Sequence, residues 1–342
     1  MNLKELAAKL GLSPTTVSRA LNGYPEVNSA TRERVEAAAR RYNYAPNARA
    51  TRLATGRAMA IGHVIPIATR REIVNPVFAD FVAGAGEAYS RAGYDMVLSV
   101  APDNDEARIY RDLKARGTVD GIILHAPRMN DPRIALLTEI GFPFVVHGRA
   151  TGTALPYSWV DVNNRRAFQR ATEFLLDLGH RRIGLINGLE FMDFAIRRRT
   201  GFVDALAARG IHPDPALMAT DEMTETAGYH AARRMLGQPM PPTALLVSSM
   251  ISAIGVRRAI GERGLALGRD VSVIIHDDEL SYLRNGDELP MFTATRSSVR
   301  TAGRLAAEML LGIIAQPESA PRHHLLEADL IIGQSTGPVP LG

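Results

Sequence analysis

Thr15, Thr16, Ser18, Arg19 and Asn22 recur along one short stretch, LSPTTVSRALNG, at a spacing that gathers them on one side of a helix. Their hydroxyl, guanidinium and amide groups can hydrogen-bond base edges or phosphates. The major groove of DNA accepts one helix and shows each base pair a distinct donor and acceptor pattern. A second set of polar residues closes apolar runs further on: His125 after GIIL, His147 and Arg149 after FVV, and His276 with Asp277 after VSVII. Ionisable groups at such strand ends suit a hydrophilic ligand, because open parallel sheets bind ligands beyond the carboxyl ends of their strands. Blander readings stand beside these. The first set fits an ordinary helical hairpin with a polar surface, and His125 fits a paired core histidine. His147, His276, His323 and His324 read as structural or surface residues, and no metal is implied.

Two short helices must position the first set. Leu3, Leu6, Ala7 and Leu10 fall at i, i+3, i+4 and i+7, one buried stripe, and Gly11 supplies the left-handed position that ends the helix. Ser13 caps the next helix and Pro14 suits its first position, where no N–H is needed. Val17, Ala20 and Leu21 point inward. A third helix follows, capped by Ser29 or Thr31, with Val35, Ala38, Ala39 and Tyr42 at helical spacing. Beyond it, Pro46, the cap residue Asn47 and Gly56 bracket a helix-prone piece over Ala48 to Ala54. Isolated helices under about 12 residues are marginal in water. This segment is expected to order only against a partner, as a switch rather than a spacer.

Charge sets the front of the chain apart. Residues 1–57 hold ten Lys and Arg against four Glu, a charge of +6 within a whole-chain total of +4. That asymmetry is the footprint of a polyanion partner. The 342 residues contain no cysteine, which excludes disulfides and thiolate metal sites. No apolar run approaches the roughly 20 residues that span a bilayer, and the N-terminus is charged where a signal peptide is apolar. The expectation is a cytoplasmic protein without a membrane segment.

From Ala58 the pattern becomes apolar strands alternating with amphipathic helices. Candidate strands are Ala60–Ile67, Met96–Val100, Gly121–His125, Phe144–His147, Ile183–Asn187, Ala244–Ser248 and Val271–His276; helical stretches include Phe78–Arg91, Arg165–Leu178, Arg199–Arg209, Ala227–Leu236 and Ile251–Arg263. Strands buried on both faces with helical crossovers predict parallel, doubly wound sheets, and their number predicts two α/β lobes.

These residues resemble the LacI-type family of bacterial transcription regulators over essentially the whole chain. The head carries LAAKLGLSPTTVSRALNG, VNSATRERV and YNYAPNARATRLATG; beyond it follow NPVF at 75–78, VDGIIL at 119–124, LGHRRI at 178–183, RRTGF at 198–202 and VSVIIHDD at 271–278. The resemblance implies an all-α three-helix head with a helix-turn-helix over 1–45, a hinge over 46–57, and an effector-binding and dimerisation domain over 58–342. That domain would have the two-lobed fold of periplasmic binding proteins. Its lobes would span about 58–160 plus 291–320, and about 161–290 plus 321–342.

By the same resemblance, Thr15, Thr16 and Arg19 would reach base edges while Ser18 and Asn22 touch phosphates. Leu53 would wedge into the minor groove with Ala50 beside it. The effector would meet Phe78, His125, Arg149, Asn163, Arg198, Met223, Ser249 and Asp277, with Arg198 and Asp277 foremost because a guanidinium and a carboxylate together satisfy vicinal hydroxyls. Partners implied are a pseudo-palindromic double-stranded operator, a sugar effector and a second copy of the chain, with tetramers in some members; no cofactor is implied. The GIILHAP and HGR strand ends are similar to regulators of α-glucoside uptake. Three positions depart from the pattern. Ser249-Met250 stands where Asn-Asp is common, Met223 where an aromatic stacks on sugars, and Ile275 where glycine is usual. Trp159 is read as core packing before ligand stacking.

Two other function classes compete. A transporter's solute-binding protein shares the lobes but has no use for residues 1–57. A sugar-acting α/β enzyme would need a catalytic set, for which His125 and Asp277 are the candidates; no phosphate-binding or nucleophile-elbow motif is present.

Overall fold

The computed structural model describes residues 1–44, 56–66, 75–101 and 105–340. The expected linker helix, with Ala50 and Leu53, lies outside those residues.

The head is three helices around one small core. Helix α1 (Leu3–Leu10) opens on a reciprocal cap, in which Asn2 accepts from the Glu5 N–H and Glu5 accepts from the Asn2 N–H, each at 3.0 Å. Gly11, at φ 64°, closes it in the left-handed region, as its position suggested. Helix α2 (Pro14–Leu21) has Ser13 as its cap and Pro14 in its first turn. Helix α3 (Ser29–Arg41) is capped by Asn28, whose side chain accepts from the Thr31 N–H at 2.8 Å; the expected caps, Ser29 and Thr31, lie inside the helix. Leu6, Ala7, Val17, Ala20, Val35, Ala38 and Ala39 are buried together. Tyr42, expected inside, ends the helix exposed, with the Lys9 ammonium 4.9 Å from its ring centre.

The remaining elements run β1 (Ala60–Pro66), α4 (Pro76–Arg91), β2 (Asp95–Ala101), α5 (Glu106–Arg116), β3 (Gly121–Leu124), α6 (Pro132–Glu139), β4 (Phe144–His147) and β5 (Trp159–Val162). Then come α7 (Asn164–Asp177), β6 (Ile183–Asn187), α8 (Asp193–Ala208), a 3-10 turn (Pro215–Leu217), β7 (Met218–Thr220), α9 (Glu225–Leu236), β8 (Ala244–Val247), α10 (Met250–Glu262) and β9 (Ser272–Asp277). The chain closes with β10 (Thr293–Arg296), α11 (Val299–Ala315), β11 (His323–Leu326) and β12 (Asp329–Ile331).

Among the described residues two six-stranded sheets form, in the orders β11-β5-β4-β3-β1-β2 and β12-β10-β9-β8-β6-β7. Every pairing is parallel except β10 with β12. In each sheet the order reverses beside the first strand, β1 or β6, and so leaves a crevice at the strand carboxyl ends. The chain changes lobe three times: after β5, between β10 and α11, and between β11 and β12. The first crossing falls about where the sequence put it; the other two differ, since β10 belongs to the second sheet and β11 to the first. These crossing strands are only three or four residues long and show no strand–helix alternation of their own.

The lobes are tied on both flanks. Buried Asp80 accepts from the Ser281 N–H at 2.9 Å and its hydroxyl at 2.7 Å. Buried Asp193 accepts from the Thr151 N–H at 3.0 Å and its hydroxyl at 2.7 Å, and pairs with Arg197 at 3.2 Å.

Glycine sets how closely the helix pairs approach. A Cβ at Gly201 on α8 would run into the Arg165 carbonyl of α7, and one at Gly303 on α11 into the Phe81 carbonyl of α4. The contact at Gly201 draws α8 onto α7 one turn beyond Arg198. Gly201→Ala should force the helices apart and lower the unfolding free energy by about 1–3 kcal/mol, read as a lower denaturant midpoint. An unchanged midpoint would mean that α8 moves without strain.

Candidate functional site: a cavity between the lobes and an exposed helix on the head

A cavity of about 360 Å³ lies between the facing strand ends, within the range of small-molecule sites. From the first lobe it is lined by Phe78 and Phe81 of α4, His125 just past β3, His147 ending β4, Arg149, and Asp161 of β5. The backbone at His125 is held from below. Arg133, gripped by Asp131 at 2.7 Å and Glu106 at 2.8 Å, donates to the carbonyls of His125 and Ala126 at 3.1 Å each. Ala126 takes a left-handed φ of 47°, a strained conformation for a residue with a Cβ. Gly148 tolerates φ 110° where a Cβ would press on Pro127 at 2.8 Å. Arg149 binds Asp161 at 2.6 Å and lies over the Trp159 ring at 5.0 Å.

The second lobe contributes Asn164, Phe194, Arg198, Met223, His276 and Asp278. Arg198 is only 5% exposed. Its Nε donates to Asn164 at 2.7 Å and its Nη1 to the Ser248 carbonyl at 2.7 Å, while Phe168 and Phe194 cover the guanidinium at 5.1 and 4.9 Å. Among the described residues, those bonds leave Nη2 for whatever enters. Burial lowers Arg198 to about 10, against the attraction of Asp278 and Asp161, so it stays charged at neutral pH. Burial would raise the Asp278 carboxyl, but His276 and Arg198 outweigh it and hold it below the ordinary range. The cavity therefore offers a cationic fork, a carboxylate, the Arg149–Asp161 ion pair, neutral imidazoles and apolar walls. That set matches a neutral, hydroxyl-rich molecule with an apolar face.

Five of the eight expected effector residues line this space: Phe78, His125, Arg149, Arg198 and Met223. Three do not. Asn163 caps α7 and donates to Glu327 at 2.8 Å, and its neighbour Asn164 takes the inward place. Asp277 turns away to Arg296 at 3.1 Å and the Glu279 N–H at 2.9 Å, whereas His276 and Asp278 on either side of it line the cavity. Successive residues of an extended chain point to opposite faces, so a placement off by one lands on the wrong side. Ser249 is spent as the buried cap of α10. His147 and His276, read as structural or surface, also border the cavity, while Trp159 stacks on His323 at 4.8 Å rather than lining it.

On the head, Thr15 and Arg19 stand exposed on α2. The Thr16 hydroxyl lies 2.8 Å from that of Ser13, and Asn22 donates to the Ser18 carbonyl at 2.9 Å. Arg32 donates to the carbonyl of Tyr24 at 2.9 Å and Arg34 to that of Leu10, so both cations brace the head. Lys4, Lys9 and Arg41 are exposed.

Burial gives the histidines at and behind the cavity wall a consequence for stability. His147 is lowered to about 4 by burial, and His63 to about 3 by burial and His147. Unfolded histidine titrates near 6.5, so below that pH the unfolded chain binds protons that the folded one refuses. Stability is therefore full above about 6.5 and falls steadily as the pH drops toward the folded values, by at most about 1.4 kcal/mol per pH unit for each such group. His147→Gln should flatten the loss of denaturant midpoint between pH 6.5 and 5. An unaltered slope would show that His147 protonates freely when folded.

Comparison with known proteins places both parts. Residues 2–47 match the model of bacterial regulatory proteins of the lacI family, and residues 172–336 that of a periplasmic binding protein-like domain. The chain is 47% identical to the HTH-type transcriptional regulator AglR of Rhizobium meliloti (strain 1021) over 340 residues, covering 99% of this chain and 95% of that protein. A solved complex of the transcriptional regulator CelR with cellobiose superposes with a TM-score of 0.72 at 29% identity, covering 98% of this chain and 99% of that one. A lac repressor dimer bound to operator and the anti-inducer ONPF gives a TM-score of 0.81 at 26% identity, with the same coverage. With the helix-turn-helix head, the two α/β lobes and this full-length similarity, the chain belongs to the lacI family of bacterial transcriptional regulators.

Proposed function

We propose that this protein represses carbohydrate-utilisation genes as a cytoplasmic homodimer and is released from its operator by a small sugar bound between the lobes. The observation that carries the reading is the buried Arg198 guanidinium sharing a cavity with the Asp278 carboxylate, neutral imidazoles and aromatic walls, on the same chain as an exposed α2. A cellobiose complex in one structural relative and an operator-bound dimer in another support the two halves of it.

Thr15, Thr16 and Arg19 read bases in the major groove, and Ser18 and Asn22 approach phosphates. Ala50 and Leu53 act in the minor groove. Thr16 and Asn22 are held by local bonds that orient them, while Arg19 extends freely enough to take guanine in bidentate fashion. Effector closing the lobes shifts the two first lobes of the dimer relative to each other and alters the spacing of the heads. A coupling of about 1–3 kcal/mol corresponds to a roughly 5–150-fold change in operator affinity.

We assign no catalytic step. His125 and Asp277, the acid–base candidates of the sequence, do not share the cavity, because Asp277 is tied to Arg296 on the far side of its strand.

Two substitutions separate the halves. Arg19→Ala should lose about 10–100-fold on the operator and far less on random duplex, whereas Lys4→Ala should weaken both alike and flatten the salt dependence. Gel-shift titrations on the two duplexes decide it, and equal loss for Arg19→Ala would remove base reading. Arg198→Ala should abolish release by sugar while leaving operator binding intact, measured by operator anisotropy with and without a disaccharide panel. A retained response would displace the effector site from this cavity.

A further inference from the structure

Tyr89, His63 and His125 form a hydrogen-bonded line from the α4 core to the cavity. The Tyr89 hydroxyl lies 3.2 Å from His63 Nε2, and His63 Nδ1 lies 3.0 Å from His125 Nε2. Tyr89 and His63 are wholly buried, and His125 ends the line at the cavity wall. Resting on the reading of that cavity as the effector site, we propose that Tyr89 and His63 are positioning residues that fix His125 as a hydrogen-bond donor through Nδ1, so that the effector presents an acceptor oxygen there.

The direction of the line follows from where each proton can go. Burial pushes the Tyr89 phenol far above its ordinary range, so it keeps its hydrogen. Among the described residues its only acceptor is His63 Nε2. Burial and His147 keep His63 neutral at pH 7. A neutral imidazole that accepts at Nε2 carries its proton on Nδ1, and that proton is donated to His125 Nε2. His125, neutral too because burial and His63 lower it, then carries its own proton on Nδ1, the nitrogen with no protein partner among the described residues. The opposite direction would leave a buried phenolic hydrogen with no acceptor, a strongly penalised arrangement. A sugar hydroxyl, ring or glycosidic oxygen satisfies the donor. An amino group at that place would set donor against donor.

Histidine-labelled full-length protein, observed by long-range proton–nitrogen NMR at pH 7, tests the line without any ligand. His63 and His125, assigned from His63→Gln and His125→Gln, should both show Nδ1–H. Tyr89→Phe should shift His125 toward Nε2–H. It should also weaken, by about fivefold or more, whichever of maltose, sucrose, trehalose, cellobiose or raffinose raises the melting temperature of the wild type. An Nε2–H tautomer at either wild-type histidine overturns the proposal, as does a Tyr89→Phe protein with unchanged tautomers or undiminished sugar affinity. The expected tautomers in a wild type that takes none of these sugars would uphold the line and count against the sugar reading alone.

Discussion

A guanidinium held out of water organises the sensing half of this protein. Burying an ion costs several kcal/mol unless polar partners replace its hydration. Arg198 finds them on separate elements: Asn164 at the start of α7 and the Ser248 carbonyl at the end of β8. Satisfying it therefore fixes α8 against α7 and the second sheet, and Gly201 makes that approach sterically feasible. Asp278 supplies counter-charge to it without a direct hydrogen bond or ion pair to Arg198 among the described residues. What remains is a charged, oriented and incompletely satisfied donor at the lobe boundary, the kind of group a hydroxylated ligand can complete.

The first lobe answers with the Arg149–Asp161 ion pair and with groups that are polar yet neutral. Three histidines, His63, His125 and His147, are packed with Phe81 and Tyr89 and kept uncharged by burial. The cavity thus sets a cationic fork and a carboxylate of one lobe opposite neutral imidazoles, aromatic walls and an internally paired Arg149–Asp161 of the other. The flanking ties of Asp80 to Ser281 and of Asp193 to Thr151 are short hydrogen bonds between lobes, so they resist a shear of one lobe over the other.

Much of this was legible in the sequence. The head's helix boundaries follow from Gly11, Ser13 and Pro14, and the central strands of both sheets from apolar runs whose ends moved by a residue or so. The crossing strands were not legible, because segments such as Thr293–Arg296 are short and polar and gain their place only by pairing across the lobe boundary. Within the site, the RRTGF match singled out Arg198 as an effector residue, and the structure places it in the cavity wall. Asp277 and Asn163 each proved one residue from the inward position, since a motif fixes residue order but not which face of the backbone meets the ligand. The Tyr89–His63 line could not be read in advance, as it joins residues 26 positions apart that only the α4–β1 packing brings together.

Linkage between cavity and DNA is reciprocal, and it is measured most directly from the sugar's side. Calorimetric titration of an effector sugar into free protein and into protein saturated with operator should give a weaker affinity for the complex. The factor should equal that by which the sugar weakens operator binding. Identical sugar affinities in the two titrations would mean that the cavity and the head are uncoupled.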